Sequence, residues 1–217
     1  MTSRTLPSAR LRYSAAAVFL ASVLVLSACD GGGTTPGNEG TSGSASASAS
    51  ASSTPSPTPT PTAAYKPADA KGKAQNVPVP VLPEAAKAET KEGLEAFAQY
   101  WYSTLSYAYE TGDTSLVKSA SGPECVFCRG LASGVESAWR DGRWIEGGTI
   151  ETPSITVQYS PDSASQATIQ VLQKQIGIRK PDGSLYQEPT KATNTGSQAT
   201  ATFGAKGWII SDLGLIR

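Results

Sequence analysis

Along the chain the spacing of apolar side chains changes once, near Gly142, from a helical period to an alternating one. Leu94, Phe97, Ala98, Trp101, Leu105 and Ala108 recur at three- and four-residue intervals and form one stripe. The stripe predicts a single long helix over 84–110. Pro83 suits its first turn, Glu84 favours the positive end of its dipole, and Gly112 ends it. Asp113 is placed to cap a short second helix reaching Ala120. Ser121-Gly122-Pro123-Glu124 has capping-box spacing and predicts a third helix. That helix would turn Cys125, Cys128, Leu131, Val135 and Trp139 towards the core and end near Asp141-Gly142.

Beyond Gly142 the residues are β-branched and aromatic. Trp144 to Tyr159 and Gln166 to Lys180 read as strand regions joined by a turn at Ser160-Pro161-Asp162. Pro153 marks an edge or a bulge in the first of them. Pro181-Asp182-Gly183 is a second turn, and Gln198 to Phe203 with Trp208 to Ile216 form a closing hairpin. Helices first and antiparallel strands afterwards imply an α+β fold, with the helices on one face of the sheet.

The N-terminal third cannot join that core. Met1 to Arg12 holds Arg4, Arg10 and Arg12 and no acid, and Tyr13 to Leu26 is almost wholly apolar. This is the pattern of a secretory signal. A membrane-spanning helix needs about 20 apolar residues, and Asp30 with Gly31 to Gly33 interrupts before that. Leu26-Ser27-Ala28-Cys29 resembles the lipobox of bacterial lipoproteins. The resemblance implies cleavage before Cys29, a diacylglyceryl thioether on its sulfur and further acylation, palmitate included, of the new N-terminus. Two acyl chains hold a protein stably at a bilayer where one does not. The expected location is therefore the extracytoplasmic face of the cell membrane.

From Asp30 to Ala64 the chain is Gly, Ser, Ala, Thr and Pro, too polar to offset its ordering entropy, and reads as a disordered tether. Its Ser and Thr beside prolines also resemble O-glycosylated stalks. Val77-Pro78-Val79-Pro80-Val81-Leu82-Pro83 is expected to be extended and to lie against the domain. The organisation read from sequence is thus a signal peptide at 1–28, a lipidated Cys29 with tether at 29–64, a Pro-rich transition at 65–83, and a globular domain at 84–217.

Charge and composition narrow the chemistry. There are 18 basic and 18 acidic residues. Removing Arg4, Arg10 and Arg12 leaves 18 − 3 = 15 basic against 18 acidic, which argues against nucleic acid as a partner. Histidine is absent, so triad catalysis, imidazole metal sites and imidazole pH switches are excluded. No cofactor motif is present, and neither a cofactor nor a metal is expected. Cys125 and Cys128 stand as C-x-x-C. On a helix that spacing brings the Cα atoms within disulfide reach, and an oxidising compartment favours the bond. A redox-active pair and a free or metal-bound pair are the other readings.

The long helix, two shorter ones and a meandering sheet ending in Gly207-Trp208-Ile209-Ile210-Ser211-Asp212-Leu213 resemble the nuclear transport factor 2-like, cystatin-related cone. Tyr65-Lys66-Pro67-Ala68-Asp69, Tyr100-Trp101, Tyr107 to Asp113 and Gly122 to Cys128 further resemble an actinobacterial lipoprotein family, domain-of-unknown-function family 6318. That resemblance covers Tyr65 to the C-terminus. It implies a helices-on-curved-sheet fold and an envelope location, and carries no catalytic residues.

In such a cone Tyr100, Trp101, Tyr107, Trp139, Trp144 and Trp208 are candidates to line the mouth of a cavity, and otherwise form the core. Glu146, Glu151 and Asp212 are the strand carboxylates from which a general base would have to come. Three functions stay open. The first, favoured, is a non-catalytic domain that binds an extracytoplasmic protein, a cell-wall component or a small molecule. The second is acid–base catalysis in the cone, and the third is thiol-disulfide exchange through the C-x-x-C pair.

Overall fold

The computed structural model describes residues 63–216. The expected signal peptide, Cys29 and nearly all of the expected tether lie outside the described residues. The architecture is α+β, with helices packed against antiparallel strands.

The first helix starts later than its residues suggest. Glu84–Lys87 forms a separate 3₁₀ turn, and α1 runs over Lys91–Thr111. The expected unbroken helix from Glu84 is therefore divided at Ala88 to Thr90. Thr90 is the N-cap, its Oγ1 accepting from the Gly93 N–H at 3.0 Å. The Ala88 carbonyl is folded back onto the new helix so closely that a Cβ on Gly93 would lie 2.1 Å from its oxygen. That oxygen accepts from Thr90 N–H at 3.0 Å and from the Trp208 indole at 2.9 Å. The helix propensity of Glu84-Ala85-Ala86-Lys87-Ala88 loses to this long-range contact.

Every residue of the predicted stripe is buried: Leu94, Phe97, Ala98, Trp101, Leu105 and Ala108. Gly112 ends α1 in a left-handed conformation (φ 78°), its N–H reaching Ala108 O at 2.8 Å. A short α2, Ser115–Ser119, follows, with Asp113 Oδ1 accepting from Ser115 N–H at 2.9 Å. The third helix, α3, is Val126–Ala138. Its cap is Cys125, whose sulfur accepts from Cys128 N–H at 3.2 Å, and not Ser121 as the capping-box spacing predicts. Ser121 is engaged elsewhere: its hydroxyl donates to Val117 O at 2.6 Å and accepts from the Trp101 indole at 2.9 Å.

Six strands follow: β1 Trp144–Gly147, β2 Ile150–Gln158, β3 Ser165–Gln173, β4 Ile176–Arg179, β5 Thr193–Gly204 and β6 Gly207–Ile216. The order β2-β3-β5-β6 makes a four-stranded antiparallel sheet, and β1 pairs with β4. The two pairings form one long bent hairpin. Gly147 and Gly148, both at φ 80°, turn the outgoing strand. Gly148 N–H to Gln175 O and Lys174 N–H to Thr149 O, both 3.0 Å, carry the ladder across the bend. A Cβ on Gly147 would fall 2.2 Å from Gln175 O, so the bend needs glycine there.

Pro153 lies in the register break between Glu151 and Ser154 on the edge strand β2, where its missing donor costs no ladder bond. β5 begins five residues before the expected Gln198. Thr193-Asn194-Thr195-Gly196 is too polar to announce a strand, yet pairs in register with β3. The core lies between α1 and the inward rows of the sheet, which include Val157, Ala167, Ile169, Val171, Ala199, Ala201, Ile210 and Leu213.

The segment before Glu84 is held onto this core. Lys66 and Gln75 exchange backbone hydrogen bonds at 3.0 and 2.9 Å, closing a small hairpin. Trp144 donates its indole N–H to Asp69 O at 3.0 Å, and the Lys73 ammonium lies 5.1 Å from the Trp139 ring centre. Val77 to Pro83 has no regular secondary structure and runs beside α1. Trp139 donates to Tyr109 O at 3.2 Å, so all four indoles in the chain fasten one segment to another.

Candidate functional site

Between α1, α3 and the inner face of the sheet lies a cavity of about 200 Å³. α1 contributes Tyr102, Leu105 and Tyr109, and α3 contributes Phe127 and Leu131. Ile150, Val171, Gln173, Leu213 and Leu215 close it from the strands, with Thr193 and Thr195 beside them. Tyr102 and Tyr109 are seven residues apart, two helical turns, and so share one face of α1. Burial pushes the Tyr102 phenol up to about 12, opposed by the neighbouring Ser197 hydroxyl. Burial also raises Tyr109, against a smaller opposite influence of the Gln173 amide. Both phenols are therefore neutral hydrogen-bonding groups.

Gln173 is the unusual member. Ala167, Ile169, Val171 and Gln173 are successive inward positions of β3, so the amide stands where the pattern otherwise places an apolar side chain. Its Nε2 is shut off from solvent and, although the amide lies beside the Tyr109 hydroxyl, makes no bond to it or to any other acceptor in hydrogen-bond geometry. Leaving such a donor unsatisfied costs about 1–3 kcal/mol. At the mouth Phe127 and Leu215 are partly exposed, 36% and 56%.

The six aromatic residues singled out from the sequence do not converge on this cavity. Trp101, Trp144 and Trp208 are core residues, each with its indole N–H satisfied. Trp139 is half-buried beneath Lys73. Tyr100 and Tyr107 line a separate cleft of about 610 Å³ between α1 and the Pro-rich segment, together with Glu110. Tyr100 and Trp208 also border a third recess near the β5–β6 turn. Tyr102, Tyr109 and Gln173 line this cavity. The period-two run of β3 is the sequence signal that picks out Gln173.

The strand carboxylates face away from the cavity. Glu151 is exposed and 3.8 Å from Lys174. Glu146 is tied to Arg179 at 2.5 Å, and Asp212 is exposed on β6. Among the described residues the carboxylate with a raised pKa is Glu110, which burial pushes up and a 3.2 Å hydrogen bond from the Tyr65 hydroxyl pulls down. It belongs to the cleft beneath the Pro-rich segment. Among the described residues no group of three His, Cys, Asp or Glu side chains is placed to hold a metal ion, and no helix is long and apolar enough to cross a membrane.

Cys125 and Cys128 have their sulfurs at bonding distance, 1.97 Å, with Cα atoms 5.3 Å apart. They are 0% and 1% exposed, so a thiol reagent can reach them only if the start of α3 opens. Replacing both with Ser should lower unfolding free energy by about 2 kcal/mol, the chain-entropy value for so small a ring, and leave the circular dichroism unchanged. The purified protein should show a reduction potential below about −300 mV. A value near −180 mV would mark an exchanging pair.

No curated protein matches the chain. Solved structures with a similar arrangement include the intermembrane space region of the chloroplast protein ARC6, at 8% identity and a TM-score of 0.44, over 58% of this chain and 96% of that one. ActVI-ORFA from Streptomyces coelicolor is similar at 13% identity and a TM-score of 0.39, over 57% and 96%. A Caulobacter vibrioides protein described as having a cystatin-like fold is similar at 11% identity and 0.39, over 60% and 92%. The model of a family described as a family of unknown function, DUF6318, matches residues 63–214, and the chain belongs to that family.

Proposed function

We propose that this is a lipid-anchored, non-catalytic binding protein held on the extracytoplasmic face of the cell membrane, with the cone cavity as its ligand seat. The observation that carries the reading is the Gln173 amide, its Nε2 buried without a partner in the wall of a cavity otherwise lined by apolar side chains, phenols and hydroxyls. The lining holds neutral phenols, hydroxyls and an amide and no charged side chain, which suits recognition more than proton transfer. An apolar cavity of about 150 Å³ takes benzene. This one therefore fits an uncharged molecule little larger than one ring, with an acceptor directed at Gln173.

Gln173→Leu tests it. The variant keeps the volume and removes the unsatisfied donor, so the empty protein should gain about 1 kcal/mol, a rise of roughly 2–4 °C in melting temperature. Acetophenone, one ring with one carbonyl acceptor, should raise the melting temperature of the unaltered protein and not that of the variant. A variant that melts lower, or that responds equally to acetophenone, would show that the amide is not waiting for a ligand.

A further inference from the structure

We infer that the outward face of the four-stranded sheet is a docking surface for a neutral glycan strand bearing hydroxyl and acetamido groups. In β3 Ala167, Ile169 and Val171 point inward, which sends Gln166, Thr168 and Gln170 out. The strand register sets Gln158 beside Gln166 on one side, and Thr156 and Gln198 on either side of Thr168. These side chains are exposed.

Charged residues make up about a quarter to a third of an ordinary soluble surface. Here, from Ser154 onward, Asp212 is the one charged side chain in the outward rows of the described four-stranded sheet. The far end is closed by the Glu151–Lys174 pair. With its one bordering cation, Lys174, paired to Glu151, the face offers little to a phosphate polymer or an anionic bilayer. It also has no Trp, Tyr or Arg anchor of the kind on which protein interfaces depend.

What it does offer is a fixed array of paired donors and acceptors. Gln170 Nε2 donates to Asn194 Oδ1, and Gln198 Nε2 donates to Gln166 Oε1, both at 3.1 Å across β3 and β5. In each tie the donor's own carbonyl oxygen and the acceptor's own NH₂ remain free. Sugar hydroxyls and acetamido groups also donate and accept at once, so they complement both halves of every tie. Holding the amides in place beforehand removes rotamer entropy that binding would otherwise cost.

The size fits a linear polymer. Four strands spaced about 4.8 Å apart and about nine residues long make a platform of roughly 14 by 30 Å. The inference shares with the proposed function only its extracytoplasmic setting. There, the 33 residues between Cys29 and Ala63 let the domain stand at most about 110 Å from the bilayer, far enough to meet envelope polysaccharide.

The test uses the full chain purified in detergent, sedimented with chitin and titrated with chitohexaose. The unaltered protein should co-sediment, and the double variant Thr168→Lys, Gln198→Lys should bind chitohexaose at least tenfold more weakly. Thr168→Ser with Gln198→Asn should retain binding. Surface changes of this kind seldom disturb the fold, and an unchanged melting temperature establishes that for each variant. Gln173→Leu, in the cone, should bind chitin normally, so failure here and failure of the cavity reading are separable. Absence of chitin binding by the unaltered protein, or equal binding by the Lys variant, overturns the inference.

Discussion

A Cys29→Ala protein is expected to lose its membrane attachment or to remain as a precursor that still carries residues 1–28. The thiol is the acceptor of the diacylglyceryl group in the lipobox reading, and alanine offers no nucleophile. Nothing else is expected to substitute for it. Tyr13 to Leu26, 14 residues by sequence, would measure about 21 Å as a helix, short of the roughly 30 Å hydrocarbon core. Among the described residues no helix is long and apolar enough to cross a membrane. Fractionation with intact-mass measurement checks the outcome. If the variant is found in membranes, processed and with the acylated mass of the unaltered protein, the anchoring argument is wrong.

The second large effect is expected at Trp208. Its ring is 4% exposed and meets Phe203 and Tyr159 edge-on, with centroids 5.2 and 6.5 Å away. Its indole N–H fixes the Ala88 carbonyl at the entrance to α1. Trp208→Ala removes both the volume and the tie, and should cost about 3–5 kcal/mol. Against a total of roughly 5–15 kcal/mol for a natural domain, that is a large share of the stability. Trp208→Phe keeps most of the apolar contact, and Ala88 O still accepts from Thr90, so this variant should lose only about 1 kcal/mol. Urea denaturation distinguishes the two. Equal losses would mean that the tie across the helix entrance, which both variants lack, and not the packing is what the tryptophan supplies.

Much of the fold was legible because it rests on local periodicity. The stripe from Leu94 to Ala108 and the alternation of β3 each follow from one buried face, and Pro153 and Gly112 act through their own backbones. What escaped was decided by distant partners. Glu84 to Ala88 are good helix formers, and their break depends on a glycine at 93 and an indole at 208. Ser121 has the spacing of a cap but is taken up by Trp101 and Val117. The polar opening of β5 is a strand because β3 lies beside it. In the site, the spacing of Tyr102 and Tyr109 and the register of Gln173 were readable. That the cone should be built by these and not by the tryptophans was not, because a tryptophan pattern is the same whether the ring fills a core or lines a cavity.

The indole ties also fix an order of assembly. Trp144 closes on Asp69 across 75 residues and Trp208 on Ala88 across 120. Contacts so far apart in the chain make for slow folding, since the loop must close before the contact stabilises it. Synthesis delivers the N-terminal end first, and so would the proposed export. The hairpin at Lys66 to Gln75 and the turn before α1 therefore emerge with their partners still unmade, and the latter stays unsecured until the last ten residues of the sheet arrive. Under the export proposed above, a chain built this way would stay unlocked at the entrance to α1 for as long as its final strand is withheld.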